Sequence, residues 1–258
     1  MSKPVIVLTG ASAWADVVTQ RLAGAYRPIV YTAREGYVAR LADDNAALVL
    51  VDGDAEGWRF WVTTPKTSPA TRRIPVILVS ADAGIRDEAM TAGADAAYTP
   101  SELIGQLGAV LSEKARVVDS DAAEAMASQC AEPLPPEGRE ALAKFNAGEF
   151  YKQHDLFEAL WMQEPGPVRD LYRAILQVGI AYYQITRGNA RGALKMLLRS
   201  VQWLALLPDL CQGVDVAQLK ADAARVRAEL ERLGPERIAE FDKALLKPVS
   251  MMGEESAN

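Results

Sequence analysis

Ala47-Leu-Val-Leu-Val-Asp52 and Arg73-Ile-Pro-Val-Ile-Leu-Val-Ser80-Ala81 are short apolar runs that each end on a small polar residue. Neither alternates polar with apolar positions, so neither reads as a strand with one wet face. A run that is apolar throughout fits a strand covered on both sides. Working outward, similar runs occupy Val5–Leu8, Ile29–Tyr31 and, more weakly, Ala96–Tyr98. Between them lie segments with helical spacing: Ala13–Leu22, Tyr37–Leu41, Gly57–Val62, Ile85–Ala92 and Ser101–Lys114. This alternation predicts a five-stranded, doubly wound parallel sheet across residues 1–116. Sheets of this kind carry their chemistry at the carboxyl ends of the strands, which brings Asp52, Ser80 and Thr99 into view.

Beyond this half the pattern changes. Periodicity fades over 117–136, where Glu132-Pro-Leu-Pro-Pro136 cannot continue a helix, and this segment reads as a linker with a helical turn or two around Ala122–Ser128. Residues 137–247 show no strand signal. Helical spacing recurs over 136–147, 149–163, 167–187, 190–206, 215–233 and 235–246, with Gly148, Gly188 and Gly234 at the stops. The fold class expected is therefore α/β followed by all-α, the second part a bundle of about six helices. Residues 248–258 read as a disordered tail.

With 258 residues and a formal net charge of -6, the chain lacks the cationic surplus needed for general affinity to nucleic acid or anionic lipid. No window approaches the roughly 20 apolar residues of a membrane span, and the apolar stretch before Gly10 is too short for a secretion signal. A bacterial cytoplasmic protein is expected. Cys130 and Cys211 match neither a disulfide framework nor a metal-ligand spacing, so free thiols in a reducing compartment are expected.

The first half also resembles a response-regulator receiver domain. The resemblance covers residues 3 to about 116 and rests on the Asp52 strand, the Ile74-Pro-Val-Ile-Leu-Val-Ser80 strand and Ala92-Gly-Ala-Asp-Ala-Ala-Tyr-Thr-Pro100, in that order. It implies that Asp52 stands at the phosphoacceptor position and Ser80 at the hydroxyl position. Such chemistry needs acids to hold Mg²⁺ and a lysine to meet the phosphoryl oxygens. Thr9-Gly-Ala-Ser12 stands where the acidic pair is expected, and Thr99 stands where the lysine is expected. The site therefore reads as vestigial. The same Thr9–Ser12 turn lacks the further glycines of a dinucleotide-binding loop, and no cofactor is expected.

On the segment 149–163, His154, Glu158 and Trp161 fall within a sector of about 60°. Phe150, Tyr151 and Phe157 flank it, so an imidazole and a carboxylate are expected among the large apolar groups, paired with each other. Asp170, Arg173, Gln177 and Gln184 on the next segment offer partners. Phe145-Asn146, His154-x-x-x-Glu158-x-x-Trp161, Leu176-Gln177 and Gly188-Asn189-x-x-Gly192-Ala193 together are similar to the helical family known as domain of unknown function number 309, over about 140–235. The resemblance assigns no role to Asn146, His154, Glu158, Trp161 or Gln177. They read as a buried polar cluster or a ligand site. A metal site needs three ligands, and His154 is the only histidine, so none is expected. The expectation is a non-catalytic signalling protein whose receiver-like half contacts a protein partner or a second copy, as in a homodimer. The alternative is a metal- or small-molecule-dependent activity, hydrolase-like, at the His154/Glu158/Trp161 face.

Overall fold

The structure is a computed structural model and describes residues 3–117 and 120–252. The chain divides into two compact units, Met1–Val117 and Val118–Asn258.

The first unit is an α/β sandwich. Its strands are β1 (Val5–Thr9), β2 (Arg27–Tyr31), β3 (Ala46–Asp52), β4 (Val76–Val79) and β5 (Ala96–Tyr98). All pair in parallel in the order β2-β1-β3-β4-β5. That is the flavodoxin-like doubly wound order shared by receiver domains. Every residue of β1, β3 and β4 is buried, as their unbroken apolar character requires. One face packs Ile6, Leu8, Leu48 and Leu50 against α1 (Ala13–Leu22) and α5 (Pro100–Lys114). The other packs Val7, Val49, Val51 and Leu78 against α2 (Tyr37–Asp43), α3 (Trp58–Thr67) and α4 (Ala83–Thr91). The period-two alternation of a strand sends neighbouring residues to opposite layers.

The second unit is mostly helical. It contains α6 (Ser120–Cys130), α7 (Pro136–Asn146), α8 (Phe150–Gln163), α9 (Arg169–Thr186), α10 (Ala190–Leu204) and α11 (Val216–Leu233). α9 lies at the centre, with Leu171, Ala174, Ile175, Val178, Ala181 and Tyr182 all within its core. Four features depart from the sequence expectations. The segment expected as a linker supplies α6, whose Met126 and Cys130, with Leu134 beyond it, join the helical core. Residues 235–246 form two short 3-10 turns, Pro235–Glu240 and Lys243–Leu245, in place of an α-helix. Phe241 turns extended between them and buries its ring. A small hairpin, β6 (Leu210–Cys211) with β7 (Val214–Asp215), sits among the helices. Its turn residues Gln212 and Gly213 both have positive φ, 50° and 79°, the geometry that matches strand twist in a two-residue turn.

The fourth departure is the pairing of the cysteines. Cys130 at the end of α6 and Cys211 in β6 form a disulfide, with Cα atoms 4.2 Å apart and a sequence separation of 81 residues. The free thiols expected are therefore not found. The Gln212 amide donates to the Cys130 carbonyl at 2.7 Å, so the backbone contact that brings the two sulfurs together is also hydrogen-bonded.

Of the expected tail, residues 253–258 lie outside the described residues, while 248–252 run back along the hairpin. The Asp215 amide donates to the Ser250 carbonyl and the Met252 amide donates to the Gly213 carbonyl, and Val249 is buried.

Candidate functional site

At the carboxyl end of the parallel sheet, Asp52 closes β3 between Thr9 of β1 and Val79 of β4. It is 3% exposed. The Ser12 hydroxyl donates to one carboxylate oxygen, and the Asp54 amide donates to the other at 3.1 Å. Gly10 carries the loop between β1 and α1 across this carboxylate at φ 86°. A Cβ there would stand 2.5 Å from Asp52 Cβ, so only glycine admits this approach.

Ser80 is fully buried, but its hydroxyl donates to the Asp54 carboxylate at 2.5 Å and accepts from the Asp82 amide at 3.1 Å. Asp54 is thus the residue that links Asp52 to Ser80. Thr99 is engaged elsewhere. It caps α5, its hydroxyl accepting from the Glu102 amide at 3.2 Å while its own amide donates to the Glu102 carboxylate at 2.8 Å. That backbone bond, with the Thr99 hydroxyl second, holds Glu102 below the usual carboxylate range. The structure brings Asp52 and Ser80 to one end of the sheet through Asp54, and uses Thr99 as a helix cap. Both oxygens of Asp52 are occupied by protein donors, whereas an acceptor of a phosphoryl group needs them for a cation and for the incoming phosphorus.

In the helical unit, the side chains that α8 buries completely are Gln153 and Phe157. The Gln153 amide nitrogen donates to the Phe150 carbonyl at 2.9 Å and the Leu176 carbonyl at 3.4 Å. It lies where a Cβ on Gly179 would come within 2.4 Å, so a glycine in the middle of α9 marks the crossing point of the two helices. His154, Glu158 and Trp161 lie one position further around, half-buried. The expected His154–Glu158 couple is not formed. His154 Nδ1 meets the Asp155 carboxylate at 3.1 Å, and its ring stacks on the exposed Tyr151 at 6.3 Å. Glu158 has no hydrogen bond or ion pair among the described residues. At the rim both groups keep water, so neither is driven to the other by burial.

Trp161 is the start of a larger arrangement. The Arg173 guanidinium lies 4.2 Å from the centre of the Trp161 ring and 4.1 Å from that of Trp203 on α10. Arg169, one turn earlier on α9, lies 5.8 Å from the Trp161 ring. Asp170 pairs with Arg173 at 3.7 Å. Gln177, one turn beyond Arg173, is buried with its side-chain oxygen unpartnered. Asn146 belongs to a different contact: its side chain donates to the Val249 carbonyl at 3.0 Å and accepts from the Val249 amide at 2.8 Å. Among the described residues no three His, Cys, Asp or Glu side chains are grouped to hold a metal ion. None of the described helices is long and apolar enough to cross a membrane.

Residues 139–196 match the family model described as Domain of unknown function (DUF309). An uncharacterized protein of Aquifex aeolicus (strain VF5) is 24% identical over 84 residues, 32% of this chain and 25% of that protein. The chain thus spans a quarter of the length of that relative. Among solved structures, the N-terminal domain of a response regulator receiver protein from Methanoculleus marisnigri JR1 is 28% identical, with 44% of this chain and 98% of that one covered at a TM-score of 0.31. A response regulator in red light signaling of R. palustris is 18% identical, with 42% and 91% covered at a TM-score of 0.34.

Several polar positions inside the DUF309 match have structural work. Asn146 clamps the segment at Val249. Asn189 caps α10 by accepting from the Gly192 amide at 2.9 Å, and a Cβ on Gly192 would come within 2.6 Å of that cap. Gly148 and Gly188 take positive φ at helix ends. His154 and Glu158 are left without such a role.

Proposed function

We propose that this chain is a regulatory protein whose receiver-like unit no longer accepts a phosphoryl group and serves instead to dock a protein partner or a second copy of itself, presenting the helical unit that follows. The observation that carries this reading is the Ser12–Asp52 hydrogen bond. Where a working receiver would place acids to hold a cation, this chain places a hydroxyl that donates to the aspartate itself. No lysine stands before Pro100 to meet phosphoryl oxygens, because Thr99 is there and caps a helix.

Incubating the whole chain with acetyl phosphate and Mg²⁺ and measuring its intact mass tests the first half of the proposal. The mass is expected to stay unchanged, and a stoichiometric phosphoryl adduct at Asp52 overturns it. Sedimentation of the whole chain over a range of concentrations distinguishes self-association from a separate partner. The reading also places the protein in a bacterial cytoplasm, where thiols are kept reduced. Alkylating intact cells before lysis measures whether Cys130 and Cys211 are joined there, and a fully oxidised pair argues against that compartment.

A further inference from the structure

We propose that the Trp161–Arg173–Trp203 stack is the floor of a binding site for a small molecule carrying an oxyanion, with Arg169 and Arg199 as the groups that grip it. The proposal concerns the helical unit alone and does not depend on the state of Asp52.

The site is assembled from three helices. Trp161 comes from α8, Arg169 and Arg173 stand one turn apart on α9, and Arg199 and Trp203 stand one turn apart on α10. On a helix, side chains four residues apart are neighbours, so Arg199 shares the face of α10 that carries Trp203, while Arg169 lies 5.8 Å from the Trp161 ring. Arg173 is already provided for, with two indoles close against it and Asp170 beside it. Its neighbours are not. Neither the Arg169 nor the Arg199 side chain has an ion pair or a hydrogen bond among the described residues. The Nε atoms of both, and the Trp161 indole nitrogen, are closed off from water without an acceptor.

A buried N–H without an acceptor costs about 1–3 kcal/mol, and native proteins seldom leave one so. Here three such donors occur around one stack, and an unpartnered acceptor, the Gln177 side-chain oxygen, lies one turn beyond Arg173. Each guanidinium also carries a full charge that no ion pair meets among the described residues, and a nearby indole lowers the local dielectric and strengthens any ion pair formed. An oxyanion is the ligand that meets this need, since a phosphate or carboxylate group offers acceptors to the guanidinium fork and to the indole N–H together. A nucleic-acid backbone is a poorer fit, because the net charge of -6 gives no extended cationic track.

The test titrates the whole chain, labelled with ¹⁵N, with inorganic phosphate and separately with succinate, against chloride at matched ionic strength. The chain has five tryptophans, and the indole signals of Trp161 and Trp203 are expected to shift and saturate while those of Trp14, Trp58 and Trp61 stay fixed. Saturation by phosphate alone assigns a phosphoryl ligand, and by succinate alone a carboxylate. Arg169→Gln and Arg199→Gln are each expected to weaken binding about tenfold or more, the loss of one charge-assisted contact. Arg191→Gln, at an exposed position on the same helix as Arg199, is expected to leave binding unchanged. The absence of any saturable shift with either anion up to roughly 20 mM, weaker than useful binding, overturns the proposal. So does binding that survives both substitutions unaltered. Should one variant fail to fold, the other variant and the indole shifts of the parent chain still decide.

Discussion

Replacing Cys130 and Cys211 together with alanine opens a loop of 81 residues inside the helical unit. A cross-link of that span removes conformational freedom chiefly from the unfolded chain, by about 4.5 kcal/mol at 25 °C on the loop-closure estimate. The native contact survives the change, because the Gln212 amide still donates to the Cys130 carbonyl and the Gln212 side chain still reaches the Gln129 carbonyl and the Tyr172 hydroxyl. The loss therefore falls on the balance between folded and unfolded chains, with little distortion of the fold. For a unit of this size roughly 3 °C accompany each kcal/mol, so the melting midpoint of the helical unit should fall by about 15 °C. Helical circular dichroism of the whole chain on heating measures it, with dithiothreitol treatment of the parent as a second route to the same state. A midpoint that moves by less than about 2 °C in both would refute the reasoning, since it would mean that the bond constrains nothing the unfolded chain was free to do.

Three further outcomes are expected. Ser12→Ala removes the hydroxyl donor from a buried carboxylate, and denaturant unfolding of the receiver-like unit should show a loss of about 1.5–3 kcal/mol. Asn146→Ala frees both hydrogen bonds to Val249, so the Val249 amide should exchange with solvent far faster while the amides of α9 keep their protection, as hydrogen exchange read by NMR would show. Glu102 is held below its ordinary value by the Thr99 amide, so its cap contributes above the unfolded value near 4.5 and is lost as the pH falls through the lower folded value. Glu102→Gln should therefore flatten that acid-side decline in an unfolding series, and an unchanged pH profile would speak against the cap.

The sheet was legible because its central strands β1, β3 and β4 are apolar up to their last residue, a pattern that a strand buried on both faces produces and little else does. The functional face of α8 was less so. Reading Tyr151 and Trp161 as core turned the helical wheel by one position, whereas the residues that enter the core are Gln153 and Phe157, with Tyr151 60% exposed. A buried glutamine looks polar in the sequence, and its signal was the glycine facing it, Gly179, in a helix interior where glycine is otherwise costly. The hairpin went unseen because its strands are two residues long and its turn places glutamine, an unusual choice, at positive φ. Spacing alone could not join Cys130 to Cys211, since cysteines 81 residues apart are brought together by α6 and the hairpin, whose packing is tertiary. Arg169 and Arg199 carried no motif at all. They stand out only once the acceptors around them have been counted.

The clasp between Asn146 and Val249 spans 103 residues, and it bears on how the chain is made. The receiver-like unit has every one of its strands in hand by residue 98 and can fold while translation continues, as leading domains commonly do. The helical unit cannot close its final contacts until Val249 has cleared the ribosome. Until then Asn146 and the underside of the hairpin face solvent, and a pause in synthesis anywhere in α11 would hold this unit open, ready for a chaperone or a protease to find.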